Sequence, residues 1–169
     1  EITADIMLND TSIDNWKENA KQWFNNSAVP EFGGTLDGGN NTISGIYYND
    51  TAAAPGMCVS VYLSGCDKHC KGCHNPEAQD FNYGEPLTEE LLQKIISSIN
   101  ANGVMRKLCL LGGEPLHEIN VPVVNYIIRK CKQVYHNLEI YLWTGYDFEE
   151  IKQREDCKYI LENIKCIID

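Results

Sequence analysis

The chain has 169 residues with 14 basic and 24 acidic side chains, which gives a formal net charge of −10. This length fits one domain with its own hydrophobic core, and the acidic balance argues against a protein that binds nucleic-acid phosphates through a basic face. We therefore expect no nucleic-acid partner. No apolar run approaches the roughly 20 residues that a membrane-spanning helix needs, so we expect no membrane span either.

Residues 1–45 differ in composition from the rest of the chain, being rich in Asn, Asp, Gly, Ser and Thr. The spacing of Trp16, Ala20 and Trp23 predicts a short helix over residues 12–24. The following stretch, FGGTLDGGNNTISGIYY, predicts short β-prone pieces and is similar to one repeat of extracellular β-helix proteins. A single repeat cannot bury its own face. We therefore expect an unrelated Asn/Gly-rich extension over 1–45 and the main domain over 46–169.

The main domain alternates predicted strands with predicted helices. Apolar and β-branched runs predict four buried strands, over 57–63, 107–111, 138–143 and 165–169. Helices are predicted after Thr88, from Pro122, over 147–154 and over 159–163. This alternation predicts an α/β fold with a parallel sheet or a barrel segment. Because the sequence stops at its fourth predicted strand, we expect a partial barrel that is truncated at the C-terminus.

Eight cysteines are present, but their placement does not suggest a disulfide framework. Cys109, Cys131 and Cys166 lie in apolar or helical patterns and are predicted to be buried free thiols. Trp143, at the end of the third strand, is likewise predicted to lie in the core. The remaining cysteines include a tight cluster typical of a metal site in a reducing compartment, namely Cys66, Cys70 and Cys73.

The residues alone leave two metals open for this cluster. A structural zinc ion needs four ligands, and His69 or His74 would have to supply the fourth. A 4Fe–4S cluster that is bound by three cysteines keeps one iron open, as a catalytic site requires. Cys58 is about eight residues upstream, inside a predicted strand, and is not expected to bind either metal.

Three unusual loops follow the first three predicted strands. They are SGCDKHCKGCHNP, GGEP at residues 112–115 and TGY at residues 144–146. Parallel strands end at one edge of a sheet, where sites of α/β proteins form, so we expect these loops to meet. Paired glycines allow a backbone to approach a ligand closely, and Glu114 is an anion that can receive an ammonium group. By itself, GGEP also fits a tight turn.

Together these motifs resemble the radical S-adenosylmethionine superfamily, in which a CxxxCxxC loop is followed by a GGE-type loop. APGMCVSVYLSGCDKHCKGCHNP, LLGGEPLH and YLWTGY further resemble, in order and spacing, the activating proteins of anaerobic ribonucleoside-triphosphate reductases. The resemblance covers about residues 46–169. It implies an incomplete parallel βα barrel and a cytoplasmic oxidoreductase that generates a glycyl radical under anaerobic conditions.

The resemblance also implies ligands, cofactors and partners. Cys66, Cys70 and Cys73 would bind a 4Fe–4S cluster, whose fourth iron would be chelated by S-adenosyl-L-methionine. Reductive cleavage of that cofactor would yield a radical that abstracts hydrogen from a glycine of the large reductase subunit. The electron would come from an external flavodoxin-like or ferredoxin-like donor. The residues expected at the cofactor are Gly72, Cys73, His74, Gly112, Gly113, Glu114, Thr144, Gly145 and Tyr146.

Three other interpretations remain open. Another small radical S-adenosylmethionine enzyme or activase would share the motifs, although activases of other lyases often carry further cysteine clusters and residues 74–108 contain no cysteine. A non-enzymatic zinc-knuckle module would leave GGEP and WTGY unexplained. A fragment of a secreted β-helix protein would conflict in compartment with a reduced cysteine cluster.

Overall fold

The computed structural model describes residues 42–169. The helix predicted over 12–24 lies outside the described residues. The strands are β1 (Thr42–Asp50), β2 (Cys58–Leu63), β3 (Glu85–Pro86), β4 (Lys107–Gly112), β5 (Ile140–Trp143) and β6 (Cys166–Ile168). The helices are α1 (Glu89–Ile99), α2 (Val121–Val134), α3 (Phe148–Ile151) and α4 (Lys158–Asn163), with 3₁₀ turns at Pro76–Gln79, Ala101–Gly103 and Glu155–Cys157.

The six strands form one sheet in the order β3-β1-β2-β4-β5-β6. Strands β2, β4, β5 and β6 are parallel, which confirms the predicted α/β class. β1 is antiparallel to β2 and to β3, so the sheet is mixed rather than wholly parallel. The composition-based boundary at residue 45 falls inside β1, which pairs with β2, the next strand along the chain. Closure or curvature into a partial barrel stays a prediction.

The main hydrophobic core lies between the sheet and the helices. Alternate residues of β2 and β4, such as Val61 and Leu110, point into it and are fully buried. α1 begins where Thr88 Oγ1 accepts a hydrogen bond from Leu91 N at 3.1 Å, as its sequence predicted. Each fully buried Leu, Ile or Val side chain of this core contributes about 1.5–3 kcal/mol of transfer free energy to folding. Helix α1 buries Leu92, Ile95, Ile96 and Ile99.

The helices after β4 differ in how well their sequences predicted them. α2 contains Pro122 in its first turn and buries a regular apolar face, so the prediction is confirmed. α3 has only four residues instead of the predicted span 147–154, because Ile151 is its one buried side chain and little holds a longer helix to the core. No helix described between residues 42 and 169 is long and apolar enough to cross a membrane.

Two burial predictions are wrong, one on the sheet face opposite the helices and one on an edge strand. Trp143 points to this face and is 41% exposed, with its indole nitrogen donating to Ala53 O at 2.9 Å. Cys166 is exposed because it lies on the edge strand β6. Cys109 and Cys131 are fully buried, as predicted, and burial raises the pKa of the Cys131 thiol to about 12. A thiol with such a pKa is an unreactive core side chain.

Candidate functional site

The loop that follows β2 carries the three clustered cysteines. Its first residues are fixed by backbone hydrogen bonds: Ser64 N donates to Thr42 O, and Gly65 N donates to Ala78 O. Further along, Cys73 N donates to Cys70 O across a turn that contains Gly72 at φ +77°. The loop therefore begins as an ordered extension of the sheet and ends in a surface turn.

The three thiols share this loop but are not arranged around one point. Cys66 and Cys73 are half-buried, and Cys70 is exposed. Within residues 42–169, no three His, Cys, Asp or Glu side chains are placed to hold a metal ion. His69, one of the two alternative zinc ligands, has its Nδ1 3.1 Å from Gln79 Oε1. Three thiols as a donor set fit an iron–sulfur cluster, and the exposed turn would have to reorient for them to bind it together.

Burial raises the pKa of the Cys66 thiol, and the charge of Glu114 raises it further. A hydrogen bond from the Lys68 backbone acts in the opposite direction. Without a metal, Cys66 is therefore held as a neutral thiol at pH 7. A bound metal ion would stabilise its thiolate instead, because a coordinating thiol is deprotonated.

The glycine loop, residues 112–115, follows β4 and lies against the cysteine loop. Gly113 N donates to Leu63 O and Glu114 N donates to Gly65 O, both at 2.8 Å. A Cβ added to Gly113 would lie 2.6 Å from Gly65 O and 2.7 Å from Ala78 O. The close approach that requires a glycine here is thus an approach to the protein's own backbone. Gly112 has φ +114°, which also favours glycine.

The Glu114 carboxylate connects the glycine loop to the loop after β5. Its Oε1 accepts hydrogen bonds from Leu116 N at 2.9 Å and from Thr144 Oγ1 at 2.7 Å, and its Oε2 accepts one from Gly145 N at 2.7 Å. The residue is 1% exposed. A carboxylate offers about four acceptor positions. One acceptor position on Oε2 is left after these three bonds.

Tyr146 joins the loop after β5 to the cysteine loop. Lys68 Nζ lies 3.3 Å from the centroid of the Tyr146 ring, and the Arg154 guanidinium carbon lies 5.4 Å from it. Tyr146 N donates to Thr144 Oγ1 at 3.2 Å, so this loop is ordered by its own threonine. The three loops therefore meet at the carboxyl edge of the sheet. His74, in contrast, is exposed on the surface turn.

Sequence reasoning missed Asn120, which is fully buried at the start of α2. Its amide nitrogen donates to Ser64 O and Glu114 O, both at 2.9 Å, and lies 3.4 Å from Gly65 O. Asparagine before a helix suggests a cap, but its side chain makes no capping hydrogen bond. Its Oδ1 has no partner among the described residues, at a cost of about 1–3 kcal/mol.

Comparison with known proteins gives consistent matches. Residues 52–169 match the family described as 4Fe-4S single cluster domain. The chain is 31% identical to the anaerobic ribonucleoside-triphosphate reductase-activating protein of Salmonella typhimurium over 124 residues, covering 73% of this chain and 79% of that protein. The protein of the same name from Escherichia coli K12 is 29% identical over the same shares. That of Enterobacteria phage T4 is 32% identical over 68% of this chain and 73% of its own length.

Proposed function

The chain belongs to the family of anaerobic ribonucleoside-triphosphate reductase-activating proteins, and we propose that it cleaves S-adenosyl-L-methionine at a 4Fe–4S cluster to activate such a reductase. The observation that carries this proposal is the meeting of three loops at one sheet edge. The cysteine loop, the glycine loop and residues 144–146 are held together by hydrogen bonds through Glu114 and Asn120. Sites of parallel α/β proteins form at this edge.

In this proposal the cysteine loop binds the cluster through Cys66, Cys70 and Cys73. The open acceptor position of Glu114 and the neighbouring backbone of Gly112 and Gly113 receive the methionine end of the cofactor. The remaining expected contacts are Gly72 and His74 on the cysteine loop and the loop after β5, namely Thr144, Gly145 and Tyr146. When bound, the cluster would supply the electron for reductive cleavage of the sulfonium, the chemistry by which such a reductase would gain its glycyl radical.

The chain's own residues contribute orientation rather than acid–base chemistry. Thr144 Oγ1 donates a hydrogen bond to the Glu114 carboxylate, which restricts the movement of both side chains on one side of the site. Lys68 covers the Tyr146 ring and brings a positive charge to the cysteine loop. This charge would partly offset the negative charge of three thiolates and favour the reduced cluster.

The partners follow from the same family membership. The relatives' name identifies an anaerobic ribonucleoside-triphosphate reductase as the protein that they activate. We propose that the large, glycyl-radical subunit of such a reductase is the partner here, with an external flavodoxin-like or ferredoxin-like electron donor. A cytoplasmic location would provide the reducing conditions that unpaired cysteines require.

The proposal is tested by anaerobic reconstitution of the full chain with iron and sulfide, followed by electron paramagnetic resonance of the reduced protein. We expect a 4Fe–4S signal that changes shape when S-adenosyl-L-methionine is added. Cys66→Ala, Cys70→Ala and Cys73→Ala are each expected to abolish that change and the release of methionine. Cys166→Ala is the matched control, because Cys166 is exposed like Cys70 but lies on β6.

Three results would contradict the proposal. Bound zinc without an iron–sulfur signal would favour the zinc-knuckle interpretation. A cluster signal that S-adenosyl-L-methionine leaves unchanged would show that the site does not bind this cofactor. Methionine release without reductase activation would instead point to another radical S-adenosylmethionine enzyme.

The proposal also includes the division of the chain into an N-terminal extension and a main domain, and the curvature of the sheet into a partial barrel. The division can be tested by truncation. β1 starts at Thr42 and binds the cysteine loop through the bond from Ser64 N to Thr42 O. We therefore propose that the functional unit includes the whole of β1, so its boundary lies no later than Thr42. Removing residues 1–41 is expected to leave cluster loading unchanged, whereas removing residues 1–50 deletes β1 and is expected to reduce it. Equal iron content in both truncated proteins would contradict this boundary.

A further inference from the structure

Asn120 lies between the two loops on which the proposed site depends. It precedes α2, it is fully buried, and its amide nitrogen is 2.9 Å from both Ser64 O and Glu114 O. Ser64 is two residues before the first clustered cysteine, and Glu114 belongs to the glycine loop. One side chain on a helix thus connects the backbones of both loops.

The chemistry of the amide suits this connection. An asparagine NH₂ group carries two hydrogens, and the two contacts at 2.9 Å use both of them, while the 3.4 Å contact with Gly65 O is weaker. An aspartate of the same shape would place an oxygen against carbonyl oxygens. Neither leucine nor aspartate can make these two donations.

The unpartnered Oδ1 supports a specific role for the donor group. A residue selected only to cap α2 would use its oxygen to accept a backbone hydrogen bond, and Asn120 makes no such bond. A residue selected only to fill the core would be apolar, since its amide oxygen has no partner among residues 42–169. What Asn120 does provide is the pair of donations to Ser64 O and Glu114 O.

We propose that Asn120 is a positioning residue that fixes the separation between the cysteine loop and the glycine loop, so that the cluster on one faces the cofactor-binding groups of the other. This inference rests on the proposed function. Asn120 contacts backbone only and acts through Ser64 and Glu114. Its loss should therefore impair cofactor binding while leaving the three cysteine ligands in place.

The first test compares Asn120→Asp and Asn120→Ala with the wild-type chain after reconstitution. Iron content is expected to stay near that of the wild type. The dissociation constant for S-adenosyl-L-methionine, from the change in the electron paramagnetic resonance signal, is expected to rise roughly 10- to 100-fold, as for other outer-shell residues. Asn120→Asp is expected to have the larger effect, since it introduces repulsion in addition to losing the bonds.

The matched control is Asn125→Asp on the same helix. Asn125 also has an amide oxygen without a partner in the described part of the chain, but its amide nitrogen makes only a 3.5 Å contact with Asp156 O, away from both loops. This variant is expected to bind the cofactor like the wild type. A similar rise for Asn125→Asp and Asn120→Asp would overturn the positioning role.

A second measurement does not require the cofactor. Hydrogen exchange of the Gly113 and Glu114 amides reports the contact between the loops, because these amides donate to Leu63 O and Gly65 O. Their exchange should accelerate in both Asn120 variants and not in Asn125→Asp. Unchanged exchange would overturn the inference. If S-adenosyl-L-methionine does not change the electron paramagnetic resonance signal of the wild-type protein, the proposed function fails. Hydrogen exchange at the Gly113 and Glu114 amides then decides by itself whether Asn120 holds the two loops together.

Discussion

Glu114→Gln is the substitution that most directly tests how the site is held together. The carboxylate receives hydrogen bonds from Leu116 N, Thr144 Oγ1 and Gly145 N. Glutamine has the same shape but only one acceptor oxygen, so it cannot accept from both backbone donors. Because Leu116 is fully buried, we expect the amide oxygen to face Leu116 N and the NH₂ group to face Gly145 N.

The expected loss is one charge-assisted hydrogen bond, which contributes about 1.5–3 kcal/mol. Gly145 is exposed, so water can satisfy its released N–H, and we expect a value near the lower limit. Glu114→Gln should therefore lower the free energy of unfolding by about 1.5 kcal/mol. Thr144 can still bond to the new side chain, because its hydroxyl can donate or accept.

Urea denaturation of the full chain measures this difference, with Glu118→Gln as the control for the same chemical change at an exposed neighbouring residue. Hydrogen exchange at the Gly145 amide provides the local readout and should accelerate only in Glu114→Gln. Equal unfolding free energies for the two variants, with unchanged exchange at Gly145, would refute the view that Glu114 joins these loops.

Two further substitutions test local features of the fold. Gly113→Ala should destabilise the chain by about 1–3 kcal/mol, since its Cβ would overlap two backbone oxygens, whereas Gly45→Ala, with open space around it, should not; equal urea midpoints would contradict this. The hydrogen bond from Ser60 Oγ lowers the pKa of Asp50 below its ordinary 3.8, so its stabilisation is present above about pH 4 and is lost at lower pH. Ser60→Ala should therefore cost about 1 kcal/mol at pH 7 and progressively less in urea titrations below pH 4.

The sequence predicted those elements whose residues repeat with a clear period. α1 and α2 have apolar faces with a helical spacing and recognisable first turns, and both were predicted. The stretch that forms β1 was predicted only as short β-prone pieces, because Gly45 interrupts its pattern, and its antiparallel pairing with β2 across residues 51–57 was not recognised. The exposure of Trp143 was not predicted either, because the sequence shows which strand positions alternate but not that the face to which Trp143 points lacks a covering helix.

The candidate site was predictable to the level of its loops. The rule that parallel strands end at one edge brought the three motifs together, and the structure confirms that they meet. The roles within the meeting point were not predictable. Gly113 was expected to approach a ligand, but its closest neighbours are Gly65 O and Ala78 O. Asn120 carried no signal beyond its position before a helix, since its contact with Ser64 O spans 56 residues.

The way in which the cysteine loop is held divides it into two parts with different properties. Its first residues are fixed by hydrogen bonds to Thr42, Ala78 and Asn120, and Gly65 O also accepts a hydrogen bond from Glu114 N of the glycine loop. Four separate parts of the chain therefore hold the backbone that leads to Cys66. The turn from Cys70 to Cys73 has a single backbone bond within itself and is largely exposed. A rearrangement that brings three thiols together therefore costs least when the turn moves and Cys66 stays. If the three thiols bind the cluster as proposed, this division would place it next to the glycine loop before any cofactor binds, because Cys66, the thiol on the fixed part, is the one adjacent to Glu114.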